Sequence, residues 1–201
     1  RLLARLQPQA VVGFGGYASV PTMLAASFAG LPTAIHEQNA FLGRANRILA
    51  ARVDRIATSF RDSEGLPAAA EAKVRWTGMP VRAAVANARA TPYPRIDRDG
   101  PYHILILGGS QGATVFADVM PRAVGLMPAR LRGRLRLAQQ CRPEDLDATR
   151  RAYAEIGVAA DLSTFFDDAV ERLASGHLLV ARAGASTVAE VTAIGRPAIL
   201  V

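Results

Sequence analysis

Apolar residues along this chain come in short runs, and each run gives way to a turn of glycine and small polar residues before a stretch of helical period begins. "AVVGFGG" is followed by "VPTMLAASFAG", "PTAIHEQN" by "GRANRILAARV", and "HILILGGSQG" by "TVFADVMPRAV". "RIATSF", "KVRWTGMPV" and "HLLVAR" are further runs of strand length. Continuous short apolar runs suit strands covered on both faces, and their alternation with helical stretches predicts βα units and parallel sheets. Between two such blocks lies "NARATPYPRIDRDGP", with three prolines and mixed charge, which reads as a linker over residues 87–100. The expected organisation is therefore an α/β block over 1–86, the linker, and a second α/β block over 101–201, two Rossmann-like halves with a cleft between them.

Composition narrows the picture without naming a chemistry. The chain has 201 residues, half of them hydrophobic, enough for a true core. It opens without Met or a targeting segment and closes inside the apolar run "PAILV", which reads as a fragment of a longer protein. Its one cysteine, Cys141, cannot form an internal disulfide, in keeping with a reducing compartment. No apolar run approaches the roughly 20 residues of a spanning helix. The formal charge of +7 comes mostly from scattered arginines without interleaved aromatics. That pattern favours an anionic small molecule or an anionic membrane surface over nucleic acid.

Glycine-bearing turns between strand and helix are the first candidate sites. "VVGFGGYASVP" places Gly13, Gly15 and Gly16 at the mouth of a helix, where positive φ is free and N–H groups meet an anion. Read as G-x-G-x-x-A with Glu37 about 20 residues on, it also fits a dinucleotide fingerprint, so an NAD-dependent oxidoreductase is one alternative. "LILGGSQGA" is a second phosphate-suited turn; it departs from the dinucleotide pattern and lacks the Gly-Lys-Ser/Thr of a P-loop. "HEQN" lines up His36, Glu37, Gln38 and Asn39 at a strand's carboxyl end, with Asn39 the candidate cap of the following helix. Arg82 in "TGMPVR" is a fork for phosphate or carboxylate. "DRD" at 97–99 reads as a solvated turn, Asp167 and Asp168 as a helix start, and His103 and His177 as structural.

In "ARAGASTVAEV" a helix begins after Gly184, with Ser186 or Thr187 as its cap, and ends at Gly195 and Pro197. Glu190 lies one turn beyond Ser186 on the same face, aimed back toward the strand ends. A carboxylate there can accept two hydroxyl hydrogen bonds, as the diol of a ribose requires.

Together "GFGGYASVP", "HEQNAFLGRANR", "TGMPVR", "LILGGSQGA", "TFFDDA" and "ARAGASTVAE" resemble, in order and spacing, the MurG family of bacterial glycosyltransferases. The resemblance implies a GT-B architecture, two Rossmann-like parallel-sheet domains facing across a cleft, with no metal and no cofactor. It implies inverting transfer of N-acetylglucosamine from UDP-N-acetylglucosamine to the C4 hydroxyl of undecaprenyl-pyrophosphoryl-muramyl pentapeptide, at the cytoplasmic face of the bacterial cell membrane. Ser110 would meet the donor's diphosphate, Phe166 the uracil through its backbone, and Ala185, Ser186, Thr187, Val188, Ala189 and Glu190 the nucleotide, with Glu190 on the ribose. Asn39 and Arg82 would reach the donor from the first block. Gly13, Gly15, Gly16 and Tyr17 would face the acceptor's pyrophosphate. The family's first glycine loop would precede residue 1 and a glutamine-containing donor segment would follow Val201. The general base is unassigned; Glu37 and His36 are candidates by position. Another GT-B glycosyltransferase and a non-catalytic sugar-nucleotide module are the further alternatives.

Overall fold

The computed structural model describes residues 2–109 and 113–201, so Ser110 lies outside the described residues. Contacts gather the chain into two compact units, Arg1–Pro80 and Val81–Val201. In the first, the elements run α1 (Leu2–Leu6), β1 (Val11–Gly13), α2 (Ser19–Phe28), β2 (Thr33–Glu37), α3 (Arg44–Ala50), β3 (Arg55–Thr58), a 3-10 turn (Ala68–Lys73) and β4 (Val74–Trp76). The four strands are parallel in the order β1-β2-β3-β4. Met23 of α2 and Leu49 and Ala50 of α3 close over Ile35 and Ile56 of the sheet.

The second unit runs α4 (Ala83–Ala88), β5 (Tyr102–Leu107), α5 (Thr114–Gly125), α6 (Ala129–Arg132), β6 (Leu135–Gln140), α7 (Leu146–Glu155), β7 (Ala160–Ser163), α8 (Ala169–Ser175), β8 (Leu178–Ala181), α9 (Ala185–Ile194) and β9 (Ala198–Leu200). Its sheet is parallel throughout, ordered β7-β6-β5-β8-β9. The period-2 alternation of β5 serves two cores. Ile104 and Ile106 pack under α5 and α7 with Phe116, Val124 and Tyr153, while Leu105 packs under α4, α8 and α9 with Val85, Leu173, Val191 and Ile194. The chain leaves β5 toward β6 on one side and returns to β8 on the other, so strand order reverses between β5 and β8. Open parallel sheets bind ligands beyond the carboxyl ends of strands at such a reversal.

The stretch expected as a linker lies against the second unit. The buried Arg196 guanidinium donates to the carbonyls of Ala174, Ile194 and Gly195 and also to those of Thr91 and Pro92. Tyr93 Oη donates to the His177 carbonyl, and His177 Nε2 lies 3.2 Å from the Arg95 carbonyl. His177 Nδ1 accepts from the His103 amide at 3.0 Å, so Nε2 carries the proton. The His177 imidazole thus acts within the scaffold, while the exposed His103 ring lies stacked on it, 5.7 Å between centroids. The division between units falls at Pro80 and Val81, ahead of residue 86, and places α4 and Arg82 with the second unit.

Candidate functional site

In the second unit, Leu107 of β5 is level with Ala181 of β8, so the turns that follow them open at the same edge. Gly109 takes φ +83°, which favours glycine, and a Cβ there would meet open space. After β8 the chain runs through Arg182 and Ala183 to Gly184, which begins α9 with extended backbone and no side-chain cap. The expected caps, Ser186 and Thr187, lie inside the first turn instead; the extended φ and ψ that a cap needs belong to Gly184. Among the described residues no side chain caps the helix's first N–H groups, and such an open helix end, with its dipole, is suited to an anion. Gly195, at φ +73°, ends the helix as expected.

Glu190 stands on α9, half-buried, and meets Arg82. The guanidinium Nε and Nη2 each lie 3.1 Å from the same carboxylate oxygen, Oε1. Arg82 is the residue that begins α4, and α4 packs on α8 and α9, so the two backbones belong to one framework although 108 positions separate them. Sequence reasoning singled out both residues but placed them on opposite blocks.

Phe166 follows β7 with its side chain in the core beside Val85 and Leu105 and under the Arg172 guanidinium, 4.3 Å from the ring centroid. Arg172 also binds Asp161 and Asp168, each at 2.7 Å, and its bond to Asp168 holds that carboxyl below the ordinary range. This arrangement leaves only the backbone of Phe166 for a ligand; its neighbour Phe165, unmarked in the sequence, is 68% exposed.

At the carboxyl edge of the first unit, the four residues of "HEQN" each have a separate task. Glu37 is 2% exposed and accepts four hydrogen bonds: Asn39 N at 3.0 Å and Asn39 Nδ2 at 3.1 Å on Oε1, Gly43 N at 2.9 Å and Asn46 Nδ2 at 2.8 Å on Oε2. Burial pushes the Glu37 carboxyl up, but the bonds from Gly43, Asn39 and Asn46 outweigh it and hold the pKa below the ordinary value. His36 Nε2 lies 3.0 Å from the Gly78 carbonyl, and Gln38 Nε2 donates to the Phe14 carbonyl at 2.9 Å, fixing the turn after β1. Asn39 does not cap α3; Gly43 occupies that position, and Glu37 binds its amide.

These tasks change the standing of Glu37. A carboxylate already holding four donors and depressed in pKa is a poor general base. It also has no free lone pair at the surface for a ribose, which removes the dinucleotide reading of "GFGGYA". His36 is 4% exposed with Nε2 committed to a carbonyl, so it too serves the scaffold.

The structure brings Gly15, Gly16, Tyr17 and Asn39 to one cavity of about 290 Å³, lined also by Glu37, Gln38, Gly43, Arg44 and Asn46. Gly15 and Gly16 take φ +80° and +73°. Gly13 differs from them: it ends β1, and a Cβ there would lie 2.9 Å from Met23 Cγ, so its lack of a side chain admits α2 to the sheet.

Comparison with known proteins fits this arrangement. Residues 103–201 match the glycosyltransferase family 28 C-terminal domain and residues 1–58 its N-terminal domain. A UDP-N-acetylglucosamine–N-acetylmuramyl-(pentapeptide) pyrophosphoryl-undecaprenol N-acetylglucosamine transferase of Paramagnetospirillum magneticum is 58% identical over 200 residues, covering 100% of this chain and 54% of that protein. The chain spans about half the length of the curated relatives it matches. The crystal structure of Acinetobacter baumannii MurG superposes with a TM-score of 0.77 at 31% identity, over 100% of this chain and 55% of that one. A UDP-GlcNAc 2-epimerase from Neisseria meningitidis, bound to UDP-GlcNAc, shares the fold at a TM-score of 0.69 and 15% identity, over 99% of this chain and 60% of that one.

Proposed function

The chain belongs to glycosyltransferase family 28, and from that premise we propose that it is part of an inverting transferase of the GT-B type. The enzyme moves N-acetylglucosamine from UDP-N-acetylglucosamine to the C4 hydroxyl of undecaprenyl-pyrophosphoryl-muramyl pentapeptide, a step of peptidoglycan synthesis. The observation that carries this reading is the carboxyl edge of the second unit, where a glycine turn, an uncapped helix amino end and Glu190 adjoin the strand-order reversal.

A UDP-sugar suits each part of that edge. The diphosphate meets the N–H groups of α9 and of Gly108 and Gly109, together with Ser110, which follows them in the sequence; Glu190 takes the ribose diol; the Phe166 backbone meets the base. As the acceptor hydroxyl attacks the anomeric carbon and its proton passes to a general base, the bond to the diphosphate oxygen breaks with its electron pair, and the developing charge falls on the same N–H groups. The cavity lined by Gly15, Gly16, Tyr17 and Asn39 takes the acceptor's pyrophosphate. A lipid-linked acceptor implies work at the cytoplasmic face of the membrane with anionic lipid nearby, for which the charge of +7 is suited. No helix among the described residues is long and apolar enough to cross a membrane.

The test is transfer itself. The intact protein that contains this chain, supplied with UDP-N-acetylglucosamine and a short-chain lipid-linked muramyl pentapeptide, is expected to release UDP and a disaccharide product in equal amounts. UDP release without the disaccharide, or transfer to an unrelated sugar acceptor only, would overturn the reading.

A further inference from the structure

The contact between Arg82 and Glu190 has an unusual distribution of donors. A guanidinium facing a carboxylate commonly sets two N–H groups on two oxygens. Here both Nε and Nη2 converge on Oε1, and no described residue donates to Oε2. A vicinal diol chelates a carboxylate with one hydroxyl on each oxygen, so the ribose that Glu190 is proposed to hold competes with Arg82 for Oε1.

Exposure favours release of the pair. The Arg82 side chain is 64% exposed, against 25% for Glu190, and an ion pair so open to water is weak and easily exchanged. Its backbone is held by α4, which packs on α9, so a freed guanidinium stays within about one and a half helical turns of the amino end of α9, from which Glu190 is the sixth residue.

Resting on the donor reading above, we propose that Arg82 and Glu190 exchange partners on donor binding. The ribose diol replaces the guanidinium on Glu190, and the donor's diphosphate replaces the carboxylate at Arg82. The ion pair of the free protein thereby selects for ligands that carry both groups. A nucleoside breaks the pair and gains nothing for Arg82, whereas a nucleoside diphosphate supplies each residue with a new partner. Arg82 is on this view a specificity-determining residue, and its effect has opposite sign for the two ligands.

Titration calorimetry on the intact protein that contains this chain, with uridine and with UDP, comparing wild type and Arg82→Gln, reads that sign. Loss of the guanidinium is expected to weaken UDP about tenfold or more, the scale of a lost charge-assisted bond to phosphate. It is expected to tighten uridine by about two- to fivefold, the scale of an exposed ion pair no longer opposing it. Weakening of both ligands would mean that Arg82 only holds Glu190 in place, and would overturn the exchange, as would no change in either. Binding of neither ligand by the wild type would overturn the donor reading itself, and the exchange with it. Arg82→Lys, with a point charge in place of the fork, should recover part of the UDP affinity.

Discussion

Replacing Glu37 with glutamine separates a scaffold role from a catalytic one. The substitution keeps shape and removes charge, but it puts an NH₂ where an oxygen accepted two donors: either the Asn39 amide and side chain or Gly43 N and Asn46 Nδ2. Each buried donor left facing another donor costs about 1–3 kcal/mol, and bonds to a charged acceptor lie toward the upper end. Two such losses give about 3–5 kcal/mol of stability, read by urea denaturation as a fall in the midpoint at constant slope. The pH dependence follows from the depressed pKa. A carboxyl whose folded pKa lies below its unfolded value stabilises fully above that value, and the contribution is lost as pH falls through the folded pKa. The gap between wild type and variant should therefore be constant near neutrality and narrow as pH falls below the ordinary value of 4.5. A stability loss below about 1 kcal/mol at neutral pH, with transfer abolished, would refute the scaffold role and return Glu37 to candidacy as the base.

Three further substitutions test the framework. Tyr153→Phe removes the 2.6 Å bond from Oη to Gln139 Oε1, 1% exposed within the second unit, and should cost about 1–3 kcal/mol in thermal or urea unfolding. Arg196→Met keeps the aliphatic stem but abandons the carbonyls of Ala174, Thr91 and Pro92; a loss of about 3–5 kcal/mol is expected, with faster amide exchange along 91–96. Gly13→Ala drives a methyl against Met23 and should cost about 1–3 kcal/mol, relieved in the double variant with Met23→Ala if the contact is the cause.

Much of the framework was legible because its signals are local. Apolar runs ending in glycine turns marked β1, β2, β5 and β8, and Gly195 marked the end of α9 by the left-handed turn it permits. Glu190 was legible by its spacing from the start of that helix. What escaped were relations made by folding. The partner of Glu190 lies 108 positions away, and only the packing of α4 on α9 brings it near. "HEQN" announced polar groups at a strand end, but that Glu37 would be enclosed by four donors, two of them from Gly43 and Asn46 at the start of α3, depends on where α3 begins. Prolines and charges at 87–100 suggested a free linker because the signal of its attachment, Arg196, sits in a distant turn with no local mark.

On the proposed function, the carboxyl edge of the second unit grips a UDP-sugar through Glu190. Calorimetric titration of the intact protein that contains this chain with UDP-N-acetylglucosamine, wild type against Glu190→Gln, measures it most directly, with unchanged circular dichroism as the check on folding. The expected result is saturable binding by the wild type that weakens by about 1.5–3 kcal/mol in the variant, the range for hydrogen bonds to a charged group. Equal affinity in the two proteins would contradict the claim.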